Sequence, residues 1–260
     1  MTVHRIRFES ASVRLGSFVL DTGPVAPEPG RVTVLLGLNG SGKSTALRAA
    51  SGLVRPASGR VTLDGEDVCA LSAPRRAARI ALVPQHAQVG APFTVREVAE
   101  LGRVALADDP GRIDGALASV GLSALAERPF TTLSGGQRQR VAVARALAQH
   151  APGGILVLDE AFAAVDLPEA AALVGLVRRV AAAGATVLAA VHDLSLAAAL
   201  ADDVWCLRSG VTAAFGPAAA VLSPDSLRQL LGVEVREAPG PGGRSALAVD
   251  YGTTLTARPS

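Results

Sequence analysis

Four short apolar runs punctuate this chain, and each stops at residues of an unusual kind: Val32 to Leu36 before Gly37, Ile80 to Val83 before Pro84-Gln85, Ile155 to Leu158 before Asp159-Glu160, and Val187 to Val191 before His192. Continuous rather than alternating apolarity predicts strands buried on both faces of a parallel sheet. Such a sheet presents ligand-binding residues at the carboxyl ends of its strands. Helical signals lie between the runs: Ser44 to Ala50 closed by Gly52, a segment starting near Pro74, Gln137 to Gln149, one opened by Pro168-Glu169, and one after Asp193. The pattern predicts an α/β fold.

Two stretches depart from it. Residues 2–36 and Val61 to Leu63 have the alternation and turn residues of a small antiparallel sheet, whereas Pro92 to Arg128 reads as helical with Gly and Pro breaks. The second predicts a helical subdomain inserted between two core strands. Near the end, Ser223-Pro224-Asp225 caps a short helix through Leu231, stopped by Gly232. Val233 to Val249 then reads as two strands joined by a turn over Pro239 to Gly243, and the residues after Tyr251 as a loose tail.

A chain of 260 residues suits one substantial core with a subdomain attached. No apolar run approaches the roughly 18 residues of a membrane span, and Val180 to Val191 is too short. A membrane role therefore calls for a partner. Met1 to Glu9 alternates apolar residues with Arg5, Arg7 and Glu9 and lacks the apolar core of a secretory signal, so the chain is expected to stay in the cytosol. Cys69 and Cys206 stand far apart, in no ligand spacing, and are expected to be buried small hydrophobes. A net charge of +2 and an aromatic content of 3% argue against a nucleic-acid partner.

Gly37-Leu38-Asn39-Gly40-Ser41-Gly42-Lys43-Ser44 matches the phosphate-loop pattern, with a strand before it and a helix after it. Its glycines let successive backbone N–H groups converge on phosphate oxygens at a helix N-terminus. Lys43 neutralises β/γ-phosphate charge, Ser44 offers its hydroxyl to Mg²⁺, and Thr45 adds a phosphate contact. Asp159 ends an apolar strand where a carboxylate holds a water of the Mg²⁺ shell, and Glu160 beside it orients or deprotonates the attacking water. A second anion-binding turn follows Leu133: Ser134, Gly135, Gly136 and Gln137 open a helix whose dipole favours negative charge.

Leu133-Ser134-Gly135-Gly136-Gln137 reproduces the signature sequence of the ABC ATPases, and with both phosphate-loop motifs in order the resemblance covers nearly the whole chain. It implies a P-loop NTPase fold with a RecA-like parallel-sheet core, a small antiparallel β-subdomain and an inserted α-helical subdomain. The ABC ATPase domain would span 1–232, with the helical subdomain at approximately 88–140 and a short hairpin-like extension and tail at 233–260. By this resemblance Gln85 senses Mg²⁺ and the γ-phosphate, Asp166 is the D-loop aspartate and His192 the switch histidine. Mg²⁺ would meet Ser44, Gln85 and, through water, Asp159. The family mechanism implies a head-to-tail homodimer sandwiching ATP between Lys43 of one copy and Ser134 of the other, working on the cytoplasmic face of the cell membrane under a permease.

Pro74-Arg75-Arg76, Leu82-Val83-Pro84-Gln85-His86, Thr94-Val95-Arg96-Glu97-Val98 and the short Val233 to Val249 tail resemble ATPases that import iron–siderophore complexes, haem or cobalamin, with a substrate-binding protein as an indirect partner. Another transporter class stays open, as does a soluble ABC ATPase acting on DNA or ribosomes; the lack of sustained heptads between Thr45 and Leu133 speaks against the latter. Two departures stand out. The adenine-stacking aromatic expected upstream of the phosphate loop falls at Arg14 or Leu15, with Phe18 a second candidate, and the usual Pro-Thr-Ser after Glu160 is Ala161-Phe162-Ala163. Phe93, Val95, Val98 and Leu101 line a permease groove or form subdomain core, while Arg75, Arg76 and Arg79 read chiefly as a solvated helix face.

Overall fold

The computed structural model describes residues 3–85, 89–163, 165–239 and 245–250. His86, the tip of the Pro239 to Gly243 turn and the residues after Tyr251 lie outside the described residues.

The N-terminal part forms β1 (Ile6–Leu15), β2 (Phe18–Asp21), β3 (Pro24–Val25) and β4 (Val32–Leu36), followed by α1 (Lys43–Ala50), β5 (Ser58–Leu63), β6 (Glu66–Asp67), α2 (Ala73–Ala77) and β7 (Ile80–Val83). The inserted helices are α3 (Val95–Glu100) and α4 (Pro110–Ser119), leading to α5 (Gly135–Gln149). The core resumes with β8 (Ile155–Asp159), α6 (Leu167–Ala182), β9 (Thr186–Ala190), α7 (Leu194–Leu200), β10 (Asp203–Arg208) and β11 (Val211–Pro217). The chain closes with α8 (Ala218–Val221), α9 (Pro224–Leu231), β12 (Val235–Pro239) and β13 (Ser245–Val249).

The four apolar runs become the parallel strands β4, β9, β8 and β7, adjacent in that order. Burial on both faces follows from their period of two. Val32, Val34 and Leu36 of β4 and Leu156 and Leu158 of β8 point into one core with the helical insert, whereas Leu35, Ile155 and Val157 point into a second core under α1 and the antiparallel strands.

The small antiparallel sheet is not separate. One eleven-stranded sheet runs β6-β5-β1-β2-β11-β10-β4-β9-β8-β7, with β3 beside β1. The join is the β10–β11 hairpin, which the apolar pattern alone does not single out although Ser209-Gly210 is a hairpin turn signal. Trp205 of β10 fixes it. Its fully buried ring meets Phe8 of β1 edge-on, with centroids 4.7 Å apart. Its Nε1 donates to Thr212 Oγ1 (2.8 Å), which donates in turn to Thr22 O (2.6 Å).

In the insert, Thr94 and Glu97 close a reciprocal capping box on α3. Val95 and Val98 are subdomain core at 0% and 2% exposure, Phe93 packs partly against them, and Leu101 faces outward. Arg75 and Arg79 both reach Glu66, at 2.9 and 3.6 Å. Cys206 is buried, but Cys69 is only half-buried, its Sγ donating to Val54 O (3.7 Å). Among the described residues no helix is long and apolar enough to cross a membrane.

Candidate functional site

The turn from β4 into α1 is built around positive φ angles that only glycine adopts without strain: Gly37 at 149°, Gly40 at 77° and Gly42 at 108°. Space forbids side chains as well. A Cβ on Gly37 would stand 2.2 Å from Leu207 O and 2.6 Å from Ser41 Oγ, and one on Gly42 would stand 2.9 Å from Leu20 Cδ1 and 3.1 Å from Phe18 Cζ. The loop is thus held tightly from both sides, with Ser41 N donating to Leu38 O (3.1 Å) and the first N–H groups of α1 lacking intrahelical partners.

A cavity of ≈ 370 Å³ opens on this turn, lined by Phe18, the residues from Asn39 to Thr45, Glu160 and His192. Lys43 is 5% exposed and donates from Nζ to Gly37 O (2.7 Å) and Leu38 O (3.2 Å). Burial pulls its ammonium pKa below the usual lysine range against the opposing pull of Glu160 and Asp159. Ser41 is also buried, and its Oγ has no hydrogen-bond partner. Ser44 donates from Oγ to Asp159 Oδ1 (2.8 Å). Burial raises the Asp159 carboxyl pKa above the ordinary value, with the Ser44 hydrogen bond acting in the other direction.

Glu160 leaves the end of β8 with φ at 52°, a left-handed conformation that costs a non-glycine residue about 1–2 kcal/mol. The turn is closed by Ala163 N donating to Glu160 O (3.1 Å). Ala161 and Phe162, in place of the family's Pro-Thr, are buried in the core, so packing anchors the turn where proline would stiffen it. The result aims the carboxylate between two partners. Glu160 Oε2 accepts from Gln85 Nε2 (2.7 Å), and its Oε1 hydrogen-bonds His192 Nε2.

The Ser134 turn has a different character. Ser134 N-caps α5 in a reciprocal box: Gln137 N donates to Ser134 Oγ (3.2 Å), and Ser134 N donates to Gln137 Oε1 (3.0 Å). Leu133 is buried, Ser134 and Gly135 are exposed, and Gly136 and Gln137 are half-buried. A Cβ on Gly135 would meet nothing within 4 Å. Asp166 caps α6 by accepting from Glu169 N (3.0 Å), and Leu167 after it is 87% exposed. Neither Asp166 nor any residue of the Ser134 turn lines the phosphate-loop cavity.

The fold therefore gathers the loop residues Gly37 to Thr45 with Asp159, Glu160, His192 and Gln85, and leaves Ser134 to Gln137 and Asp166 on open surface. Of the aromatic candidates Phe18 lies against the loop, while Arg14 and Leu15 do not line the cavity. Sequence reasoning missed two glutamines on α5. Gln139 is buried and reaches Pro84 O (3.5 Å), and Gln149 donates to Ala77 O (3.0 Å) and Ile80 O (2.8 Å), lashing α5 to both ends of β7. Their signal was polar residues within an otherwise small-apolar helix face.

Comparison with known proteins agrees with this architecture. The ABC transporter family matches residues 25–163. The chain is 42% identical over 242 residues to the hemin import ATP-binding protein HmuV of Streptomyces coelicolor, covering 91% of this chain and 86% of that one. It is 43% identical over 239 residues to the HmuV of Nocardia farcinica, covering 89% and 82%. It is 41% identical over 220 residues to the cobalamin import ATP-binding protein BtuD of Halobacterium salinarum, covering 82% of this chain and 55% of that one. A nucleotide-free ATP-binding cassette from an ABC transporter superposes with a TM-score of 0.74 at 24% identity, covering 88% and 96%. The chain belongs to the ABC transporter family, and it binds and hydrolyses ATP.

Proposed function

We propose that this ATPase powers uptake of a metal chelate, in the class of haem, cobalamin or iron–siderophore complexes, through a permease on whose cytoplasmic face it sits. The names of the haem and cobalamin import relatives support the cargo class. A substrate-binding protein outside the membrane would then deliver the cargo.

The observation that carries the mechanism is the division of phosphate-binding surfaces: an enclosed loop at Lys43 and an open helix start at Ser134 that lines no part of the same cavity. A second copy in head-to-tail arrangement would place its Ser134, Gly135, Gly136 and Gln137 over the first copy's Gly37, Asn39, Gly40, Ser41, Gly42, Lys43, Ser44 and Thr45. Each closed dimer then holds two sandwiches, with Asp166 near the seam. The domain would run over 1–232, the helical subdomain over approximately 88–140.

Phosphates of ATP take over the hydrogen bonds that Lys43 Nζ now makes to its own loop carbonyls, and the buried, unpartnered Ser41 hydroxyl supplies a further donor. Phe18, packed on Gly42, offers a face to the base. Glu160, held between Gln85 and His192, accepts the proton of the attacking water, and His192 keeps the carboxylate aligned while facing the γ-phosphate. The adjoining oxygens of Ser44 and Asp159, 2.8 Å apart, are a hard donor pair that fits Mg²⁺. Ser44, Gln85 and, through water, Asp159 would hold the ion, which supplies charge neutralisation to the phosphates.

The test is capture from membranes with Glu160→Gln, which retains ATP without hydrolysing it. Recovery of a polytopic permease whose reconstitution with the wild-type chain moves haem, cobalamin or an iron chelate is the expected outcome. Recovery of nucleic acid or ribosomes with no membrane protein would overturn it.

A further inference from the structure

The C-terminal elements approach the site at α9 and at the β12–β13 hairpin. α9 lines a second cavity of ≈ 530 Å³ on the outer flank of the phosphate loop, whose walls include Asn39, Gly40 and Ser41. Arg228 of α9 makes a bidentate pair with Glu234 just before β12, at 2.6 and 2.7 Å. β13 packs along α7, and Ser195 Oγ donates to Leu247 O (2.7 Å).

That contact falls three residues after His192. α7 starts at its Asp193 cap, whose carboxylate accepts from Leu196 N (2.7 Å), so the histidine stands immediately before the capped start of the helix. Val235 and Leu247 of the hairpin are 8% and 4% exposed, and both enter the core cluster that holds Val191, Leu194 and Ala197. α7 has only 7 residues, so its position is set by packing more than by its own hydrogen bonds.

We propose that α9 and the β12–β13 hairpin form a strap that sets where His192 stands relative to Glu160, with Ser195 and Leu247 as positioning residues for the hydrolytic step. The hairpin packs on α7, the helix that begins two residues after His192, and α9 faces the phosphate-loop flank across the cavity. The inference rests on the reading of His192 as the γ-phosphate-facing residue.

Its test uses the full chain, with phosphate release from Mg-ATP and the His192 imidazole resonance, identified by its loss in His192→Ala, as readouts. Ser195→Ala is expected to lower kcat about fivefold, the scale of one lost hydrogen bond, with KM held and Tm lowered by only a few degrees. Ser195→Thr, which keeps the hydroxyl, restores kcat, and Leu247→Ala shifts the His192 resonance in the same sense as Ser195→Ala. Wild-type kcat and an unmoved resonance in both Ser195→Ala and Leu247→Ala, with His192→Ala inactive, would overturn the strap alone. An active His192→Ala would overturn the reading beneath it and the strap together.

Discussion

The turns at Gly37 and at Gly135 both open a helix, yet they are built on opposite terms. At Gly37 the fold itself demands glycine: φ is 149°, and a Cβ would collide with Leu207 O at 2.2 Å. At Gly135 nothing in the chain stands within 4 Å of where a Cβ would go. The first turn is enclosed by β10, Phe18 and Glu160, while the second ties up only the Ser134 and Gln137 N–H groups in their box and faces solvent. One surface is finished within the chain. The other has the chemistry of a binding surface without the walls, which is what a site completed by a second copy requires.

The largest expected effect concerns chemistry on the finished side. On the proposed mechanism Glu160→Gln removes the proton acceptor while keeping the hydrogen-bonding shape, so phosphate release is expected to fall about a thousandfold with ATP binding retained. Rapid quench alongside equilibrium nucleotide binding reads both. Hydrolysis within tenfold of wild type would move the general base elsewhere.

How much of this contrast is legible in residues alone is instructive. The four apolar runs disclosed β4, β7, β8 and β9 because strands buried on both faces carry their burial in plain sight. The phosphate-loop sequence pointed to Lys43 and Ser44 for the same kind of reason: the spacing of its glycines is itself the geometry. What stayed hidden was the join through β10–β11, since Trp205 is buried by residues nearly 200 positions away in sequence, at Phe8. Phe18 ranked only as a second candidate, after Arg14 and Leu15, because its approach to Gly42 exists only once β2 is folded beside the loop. Nor can residue order show that Ser134 is open and Gly37 enclosed, because neighbours in space decide that.

A paired substitution sharpens the comparison next. Gly37→Ala destabilises the chain by about 3 kcal/mol, because backbone must move. Gly135→Ala changes stability by no more than about 0.5 kcal/mol. Urea unfolding of the two variants measures the difference, and equal losses would mean that the Ser134 turn is as constrained as the phosphate loop.

A smaller effect separates the two ends of α5. Its N-terminus is exposed at Ser134, but its C-terminal cap, His150, is buried, and its carbonyl accepts from Arg112. Burial pushes the His150 imidazole pKa down to about 4, with the Arg112 charge adding to the shift and a hydrogen bond to the Gly154 backbone opposing it. The unfolded imidazole takes its proton near its ordinary value of 6.5, so below that pH the unfolded state binds the extra proton and stability falls until the folded value is reached. At pH 5 the loss is about 2 kcal/mol relative to pH 7.5. His150→Gln should flatten the dependence, and an unchanged slope in that variant would place its origin in other groups.

The most direct test of the divided site is sedimentation velocity of Glu160→Gln with and without ATP. The account predicts a monomer that becomes a dimer with ATP, and loss of that dimer when either Lys43→Ala or Ser134→Arg is added. A chain that binds ATP tightly yet stays monomeric, or that dimerises undiminished with Ser134→Arg, would contradict it.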